Sequence, residues 1–575
     1  MKGGLRKGLA SYGDADFSLF LRSAFIKAMG YSEDALERPI VGITNTYSDY
    51  NPCHGNVPDL IEAIKRGVLL AGALPMVFPT MSLHESFVYP TAMYLRNLMA
   101  METEELIRAQ PMDSVVLIGG CDKTLPAQIM AAVSANLSAI VLPTGPMVVG
   151  HHNGEVLGAC TDCRRLWAQF RSGRIDEAEI VRVNSKLAPS VGTCMVMGTA
   201  STMACITEAL GLSLPLSATA PATHAERRRL AEATGKRAAE MAIAGHPLPG
   251  EIVTAISLRN ASVILQSIGG STNGLIHLAA IAGRAGVRLD LDEFDRLGRG
   301  VPVLLDLKPS GKHFMEDFHH AGGLPRLMKE LGDLLTSDAP TVTGGTLAHS
   351  IAAAEHVPGQ DVIRPRSNPL SANGALAVLR GNLAPHGALI KHSAASRHLL
   401  EHTGKAIVFD SVAEMMQSID EPALPVTPES ILVLRNAGPK GAPGMPEAGY
   451  IPIPKKLARQ GVTDMVRISD ARMSGTAFGA IVLHIAPEAA MSGPLALVRS
   501  GDAIRLDVPA RRLDLLLSDE EWDARLREAR ASENSGLSPS RGYARLFADT
   551  VLQAHEGCDF DFLRSAPPPP PSRAS

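Results

Sequence analysis

Cys53, Cys121 and Cys194 each lie in a turn containing Gly, Asn or Asp just past an apolar run, and the middle one reads Gly119-Gly120-Cys121-Asp122-Lys123-Thr124. Thiolates placed in this way are candidates for binding a metal cluster. Their spacings of 68 and 73 residues (positions 53, 121 and 194) are far too wide for a zinc knuckle or a local Cys-x-x-Cys clip, so the fold has to bring them together. Cys121-Asp122-Lys123 puts a soft ligand, a hard ligand and an amine in one turn; iron-sulfur clusters take thiolates, whereas Mg²⁺ takes carboxylates. A cluster held by three cysteines leaves one iron without a fourth protein ligand, free to act as a Lewis acid on a substrate hydroxyl. The bland alternative is a buried, inert Cys121 beside an ordinary turn aspartate.

Two glutamates and a serine extend the set. Glu447 sits in Gly441-Ala442-Pro443-Gly444-Met445-Pro446-Glu447-Ala448-Gly449, a stretch too rich in Gly and Pro for a helix or central strand, and Glu85 follows the β run ending near Pro79. Taken singly, either reads as a surface or cap residue. Ser474, in Ser469-Asp470-Ala471-Arg472-Met473-Ser474-Gly475-Thr476-Ala477, has no nearby His to activate it. It could act as a base only if a cation stabilised its alkoxide; otherwise it is a turn hydroxyl bonded to backbone. Cys160 and Cys163 form a Cys-x-x-Cys with no second pair, and read as structural or partly exposed thiols whose pKa values the neighbouring arginines would lower. Gly269-Gly270-Ser271-Thr272-Asn273 could hold an anion on backbone N–H groups at a helix start, though such turns are commonplace.

The elements that must position these residues alternate strand and helix. Ile40 to Asn45 reads as a strand, Thr46 to Asn56 as a turn, Pro58 to Ala71 as a helix and Pro75 to Pro79 as a strand; Ser114 to Gly119, Cys121 to Leu125, Pro126 to Leu137 and Ala139 to Leu142 repeat the order. Two βαβ units imply a parallel sheet, and ligands of open α/β sheets bind beyond the carboxyl ends of the strands, where Cys53 and Cys121 fall. Cys194 is expected to open a helix running from Met195 to Leu210, with Ala225 to Ala244 and Glu251 to Ile264 as further helices. A Pro, Gly and Arg-rich stretch, Val357 to Leu370, reads as a linker. Residues 1–360 then form an α/β domain carrying the cysteines and most hard ligands, and 371–565 a β-rich domain carrying the serine. In the latter, eight short β runs between Ala375 and Leu517 imply a barrel or sandwich, followed by a helix from Asp519 to Ala531 with Ser518 and Glu521 in capping-box register. The tail 566–575, with Pro567 to Pro571, is expected to be disordered.

Composition narrows the partner. The chain has 575 residues, a formal charge of −4 and 20% charged residues, which argues against a nucleic-acid or anionic-membrane surface and for a small molecule. Seven cysteines are too sparse for a disulfide scaffold, so a reducing cytoplasm is expected. The most apolar region, Ala131 to Val149, is interrupted by Asn136, Pro143 and Pro146 and cannot supply the roughly 20 apolar residues of a membrane helix.

Taken together the turns resemble the dihydroxyacid and sugar-acid dehydratase family, which includes the 6-phosphogluconate dehydratases. The resemblance runs through Asn51-Pro52-Cys53-His54-Gly55-Asn56, Gly120 to Thr124, Gly192-Thr193-Cys194 with Met197 to Met203, Gly269 to Asn273, Pro443-Gly444-Met445 with Glu447, and Ser469 to Gly475. It implies that Cys53, Cys121 and Cys194 hold a [2Fe-2S] cluster, and that Glu85, Asp122, Glu447 and a carbamylated Lys123 hold Mg²⁺. It also implies that Ser474, as alkoxide, takes the C2 proton of a 2,3-dihydroxy carboxylate while the C3 hydroxyl leaves as water, giving an enol and then a 2-keto-3-deoxy acid. The implied fold is an N-terminal α/β domain with a C-terminal β-barrel-like, swivelling β/α domain, assembled as a homodimer or homotetramer. The stretch Ser469 to Ala477 is more similar to the pentonate (arabinonate, xylonate) dehydratases than to the branched-chain enzymes, whose stretch usually reads Asp-Gly-Arg-Phe-Ser-Gly, so a polyhydroxy acid is the expected substrate. Leu5 to Asp16 and the Cys160 to Cys163 segment depart from the arabinonate enzymes and leave the particular acid open.

Three other readings compete. A branched-chain dihydroxyacid dehydratase would prefer 2,3-dihydroxyisovalerate. A non-catalytic iron-sulfur carrier or sensor would normally saturate its irons with four ligands. A nicotinamide oxidoreductase needs a Gly-x-Gly-x-x-Gly between first strand and helix, and Ile43 to Gly55 offers none.

Overall fold

A computed structural model of the chain describes residues 3–352, 354–531 and 539–565, so the proline-rich tail lies outside the described residues. Four parallel strands organise the N-terminal half: β1 (Ile40–Asn45), β2 (Leu74–Pro79), β3 (Ser114–Gly119) and β4 (Ala139–Pro143), in the order β2-β1-β3-β4. Every residue of β3 and β4 is buried, as expected of parallel strands covered on both faces, and their Val, Ile and Leu content suits that environment. The strand order changes direction at β1, so the crevice beyond β1 and β3 is the switch point at which such sheets bind ligands.

The helix Val57–Leu70 connects β1 to β2 and packs on the helix Ala225–Ala244 at very short range. A Cβ on Gly67 would lie 2.0 Å from the Glu232 carbonyl oxygen, and one on Gly235 would lie 2.2 Å from that of Ile64. Because neither obstacle is a movable side chain, Gly67→Ala has to push the helices apart. We expect it to destabilise the protein by about 1–3 kcal/mol, read from the midpoint of denaturant unfolding; an unchanged midpoint would show that the crossing has slack.

Between the sheet and Cys194 lies the hairpin β5 (Gly150–His152) and β6 (Glu155–Leu157), followed by the helices Thr161–Arg171 and Glu177–Asn184. The expected helix at 251–264 is two helices, Pro249–Ile252 and Ala255–Ser267. The break comes where Thr254 caps the second, its Oγ1 accepting from Ser257 N while Ser257 Oγ accepts from Thr254 N. The helix expected to open at Pro126 starts earlier, at Thr124. The linker-like stretch 357–370 is fastened to the preceding half, with Asp306 N donating to Val362 O at 2.8 Å and Arg364 N to Leu304 O at 2.7 Å.

All eight β runs of the C-terminal half form strands: β7 (Ala377–Leu379), β8 (Gly387–Ile390), β9 (Glu401–Phe409), β10 (Ile431–Leu434), β11 (Arg467–Ser469), β12 (Ile481–Ala486), β13 (Ala503–Asp507) and β14 (Arg512–Leu515). They make one mixed sheet in the order β14-β13-β9-β10-β11-β12-β8-β7, parallel across β9 to β12 and antiparallel elsewhere. The two ends approach each other, Arg380 N donating to Arg511 O at 2.9 Å and Leu513 N to Arg380 O at 2.8 Å. The sheet is therefore nearly closed into a barrel, which leaves little open edge. Of the expected capping box at 518–521 one half forms: Glu521 N donates to Ser518 Oγ, while the Glu521 carboxylate pairs with Arg525 instead. The segment 551–565 returns to the N-terminal half, where buried Arg284 pairs with buried Asp559 at 2.7 Å and Arg96 donates to the carbonyls of Gly557 and Cys558. No helix among the described residues is long and apolar enough to cross a membrane.

Candidate active site

The loops after β1 and β3 are tied together by a histidine. His54 Nδ1 lies 2.8 Å from Thr46 O, and its Nε2 accepts from the backbone N–H groups of Gly120 and Cys121 at 2.9 and 3.2 Å. One neutral tautomer, protonated on Nδ1, satisfies all three contacts, and burial holds the ring's pKa down at about 4. Cys53 and Cys121 thereby face each other across the switch point. Gly120 is required by this approach, since a Cβ there would lie 1.9 Å from Thr144 Oγ1 and 3.1 Å from Cys53 O. His54 stands inside the quoted Asn-Pro-Cys-His turn, but its bracing role depends on a partner loop 66 residues away.

Cys194 does not open a helix. Met195, Val196, Met197 and Gly198 intervene, and the helix begins at Thr199. The backbone of that stretch is committed elsewhere: Met197 N donates to Lys308 O, Met195 O accepts from Met315 N, and Ser201 Oγ donates to the carbonyls of Cys194 and Val196. With no helix start at the thiol to favour its thiolate, a hydrogen bond with Cys160 and then burial push the pKa of Cys194 well up. Gly192 N donates to Pro52 O at 3.1 Å, which brings this turn to the loop of Cys53.

Cys160 and Cys163 are partly exposed and hydrogen-bonded to each other, which lowers the pKa of Cys160 and raises that of Cys163, so the expected lowering holds for Cys160 alone; Cys160 Sγ also lies 3.5 Å from Cys194 Sγ. Cys53 is raised in the same way as Cys194, by a hydrogen bond with Cys121 and then burial. Sulfurs crowded and buried in this manner resist ionising alone; cationic irons that take thiolates would remove the penalty. The donor set therefore fits an iron-sulfur group. Cys53, Cys121 and His84 also converge, with ligand atoms within 4.8 Å of one another.

Beside the thiols stands an acidic group. Oxygens of Glu85, Asp122 and Glu447 lie within 4.8 Å of one another, although the three residues come from three separate loops. Fully buried Lys123 reaches all three, contacting Asp122 closely, Glu85 at 3.4 Å and Glu447 at 4.0 Å. Arg472, also fully buried, donates to both oxygens of Glu85 at 3.0 Å, to Glu447 and to Thr91 Oγ1. Burial works to raise Glu85, but Arg472 and Lys123 outweigh it and hold the carboxyl down at about 2; at Glu447 burial wins and the pKa is raised. Carboxylate oxygens are hard donors, so this set suits a divalent ion such as Mg²⁺. Arg472 lies within the quoted Ser469 to Ala477 stretch, where nothing local distinguishes it from an exposed arginine.

Ser474 is two residues beyond Arg472, half-buried, with its Oγ 2.8 Å from Thr476 Oγ1. Its loop is held by the N-terminal half of the chain. Asn273 Nδ2 donates to Met473 O at 3.0 Å, Thr161 Oγ1 to Thr476 O at 3.0 Å, and a Cβ on Gly475 would lie 2.5 Å from that of Ser271. The Gly269 to Asn273 turn is thus a support for the serine loop, and the anion reading fails. Gly270 N donates to Leu265 O, Ser271 N to Thr202 Oγ1 and Asn273 N to Ser271 Oγ, leaving those donors engaged.

A crevice at an α/β switch point lined by thiols, with carboxylates and a serine loop from a barrel closing over it, is the candidate active site of an enzyme. The comparisons agree. Residues 38–350 match the family model described as dihydroxy-acid/6-phosphogluconate dehydratase N-terminal, and residues 361–558 match the C-terminal one. The chain belongs to this family of dehydratases. It is 46% identical to an L-arabonate dehydratase of Azospirillum brasilense, over 96% of each chain. It is 45% identical to an L-arabinonate dehydratase of Rhizobium leguminosarum bv. trifolii (strain WSM2304), over 96% of this chain and 95% of the relative. A 6-deoxy-6-sulfo-D-gluconate dehydratase of Pseudomonas putida is 44% identical, over 94% of this chain and 93% of its own.

Proposed function

We propose that the protein dehydrates a 2,3-dihydroxy sugar acid, an aldonate such as arabinonate or xylonate, to the 2-keto-3-deoxy acid. The carrying observation is the arrangement around consecutive Cys121 and Asp122: soft donors on one side, hard donors on the other, and the loop of Ser474 bonded to the carboxylates and to the residue next to Cys160. Arg472 on that loop grips Glu85 and Glu447, while Thr476 O accepts from Thr161, the neighbour of Cys160. Identities of 44–46% to sugar-acid dehydratases, against 37% to a dihydroxy-acid dehydratase of Acetivibrio thermocellus, favour the polyhydroxy substrate.

In this reading Cys53, Cys121 and Cys194 hold a [2Fe-2S] cluster, and Glu85, Asp122, Glu447 and carbamylated Lys123 hold Mg²⁺. When bound, these groups supply Lewis acidity toward the substrate's carboxylate and hydroxyl oxygens. Ser474 Oγ, as alkoxide, takes the C2 proton and hands it to the C3 hydroxyl as the C3–O bond breaks, so that water leaves and the alkoxide is restored. The resulting enol tautomerises to the ketone. Arg472 keeps Glu85 and Glu447 oriented, and the half-buried crevice limits water around the enol. Residues 1–360 and 371–565 act as two domains with this crevice between them. Assembly as a homodimer or homotetramer accords with the apolar side chains left outside on the helix Ala15–Ala28, where Phe20 and Phe25 are 68% and 71% exposed.

The test is an anaerobic assay of the reconstituted full-length protein against C4 to C6 aldonates and 2,3-dihydroxyisovalerate, detecting 2-keto acid. Turnover of one or more aldonates is expected to exceed that of the branched acid. Turnover of the branched acid alone would reassign the substrate, and absence of iron and labile sulfide would remove the cluster.

A further inference from the structure

A fourth sulfur, beyond Cys53, Cys121 and Cys194, stands at the crevice. Cys53 is hydrogen-bonded to Cys121, and Cys160 lies between Cys163 and Cys194, hydrogen-bonded to both, with its Sγ 3.5 Å from that of Cys194. Two thiolates on one tetrahedral metal at metal–sulfur distances of about 2.3 Å stand about 3.8 Å apart, so the Cys160–Cys194 separation is close to the edge of such a site. A four-cysteine [2Fe-2S] site gives two thiolates to each iron, and Cys160 is the thiol that stands at ligand spacing from Cys194. His84 converges with Cys53 and Cys121, and its ring also faces the charge of Cys160.

The local structure is built to bring Cys160 there. Asp162, buried, accepts from Gly158 N at 2.7 Å, Arg165 Nε at 2.9 Å and Lys308 Nζ at 3.0 Å, which fixes the turn. Gly158 lets that turn press on the Cys194 segment, because a Cβ there would lie 2.6 Å from Phe314 Cε1 and 2.8 Å from Val196 Cγ1. Thr161, the next residue, bonds to the serine loop through Thr476 O.

We infer that Cys160 is a fourth, exchangeable thiolate ligand, closing the second iron in the resting protein and giving up its position to a substrate hydroxyl. The inference rests on the cluster assignment above and adds a ligand to it. The exchange is a ligand substitution without redox change: the Cys160–iron bond breaks, the hydroxyl oxygen donates a lone pair in its place, and Cys160 keeps its electron pair. A site that is closed until substrate arrives shields the iron from small oxidants.

The experiment compares anaerobically reconstituted wild type, Cys160→Ser and Cys205→Ser by visible circular dichroism and, after dithionite reduction, by electron paramagnetic resonance. Cys160→Ser is expected to shift the bands and g-values, and Cys205→Ser, buried in the helix Thr199–Ala209, to leave them in place. A Cys160→Ser spectrum superimposable on wild type would overturn the inference. If Cys160→Ser does not load, alkylation by iodoacetamide read by mass spectrometry decides. In loaded Ser474→Ala, Cys160 is expected to be protected and to become reactive when arabinonate is added, whereas labelling as fast as in the metal-free protein overturns the inference. A wild type that takes up no iron and sulfide overturns the cluster assignment along with it. A protein that loads and dehydrates aldonates with Cys160 unliganded overturns the fourth ligand alone.

Discussion

Ser474→Ala is expected to lower aldonate turnover by about 10²- to 10⁴-fold, the usual contribution of a positioned general base, with iron content, sulfide content and visible absorbance unchanged. The side chain makes few contacts whose loss could disturb the fold: its Oγ meets Thr476 Oγ1 at 2.8 Å and accepts from Thr476 N at 3.4 Å, and the residue is half-buried. The loop itself is held by other groups, through Asn273, Thr161 and the close packing of Gly475 on Ser271. Activity and cluster content should therefore separate cleanly. Near-normal turnover in a fully loaded variant would remove Ser474 as the base and direct attention to other groups at the crevice.

Arg472→Leu is expected to destabilise the protein by about 3–5 kcal/mol, the range for removing one partner of a buried ion pair. Leucine approximates the volume but leaves Glu85 and Glu447 facing each other without the guanidinium that now bonds to both. Thr91 Oγ1 loses a donor as well. The measurement is the midpoint of denaturant unfolding. Adding Glu85→Gln should recover part of the loss, because the second change removes one of the carboxylates left unpaired. A midpoint within about 1 kcal/mol of wild type would mean that the acidic group is balanced without Arg472. The same variant should lower affinity for Mg²⁺, since Glu85 and Glu447 would lose the contact that orients them.

Much of this architecture was legible before any coordinates. The β-branched runs and helical periods of residues 40–143 dictate a parallel sheet, because each run is short, apolar and followed by a helix that can cover it. The eight C-terminal runs are short and separated by turns, and each becomes a strand. Residue chemistry also marks the loops that matter, since Cys121 beside Asp122 and Gly-Pro turns around Glu447 are costly patterns for a merely structural surface. The elements read less well are those whose limits depend on distant partners. The helix after Cys194 starts late because Lys308 and Met315 capture the backbone before it, and the Gly269 turn supports the serine loop because Thr202 occupies its N–H group.

By itself the sequence determined which side chains can bond metals and move protons, and that strands alternate with helices to carry them; hydrophobic period and ligand chemistry are local properties. Only the tertiary structure decided which of them meet. His54 joins two loops, Arg472 is buried between two glutamates from different loops, and Cys160 arrives beside Cys194. Each of these depends on contacts between segments 34 to 387 residues apart, and nothing in the chemistry of a short stretch encodes a neighbour that only chain folding supplies.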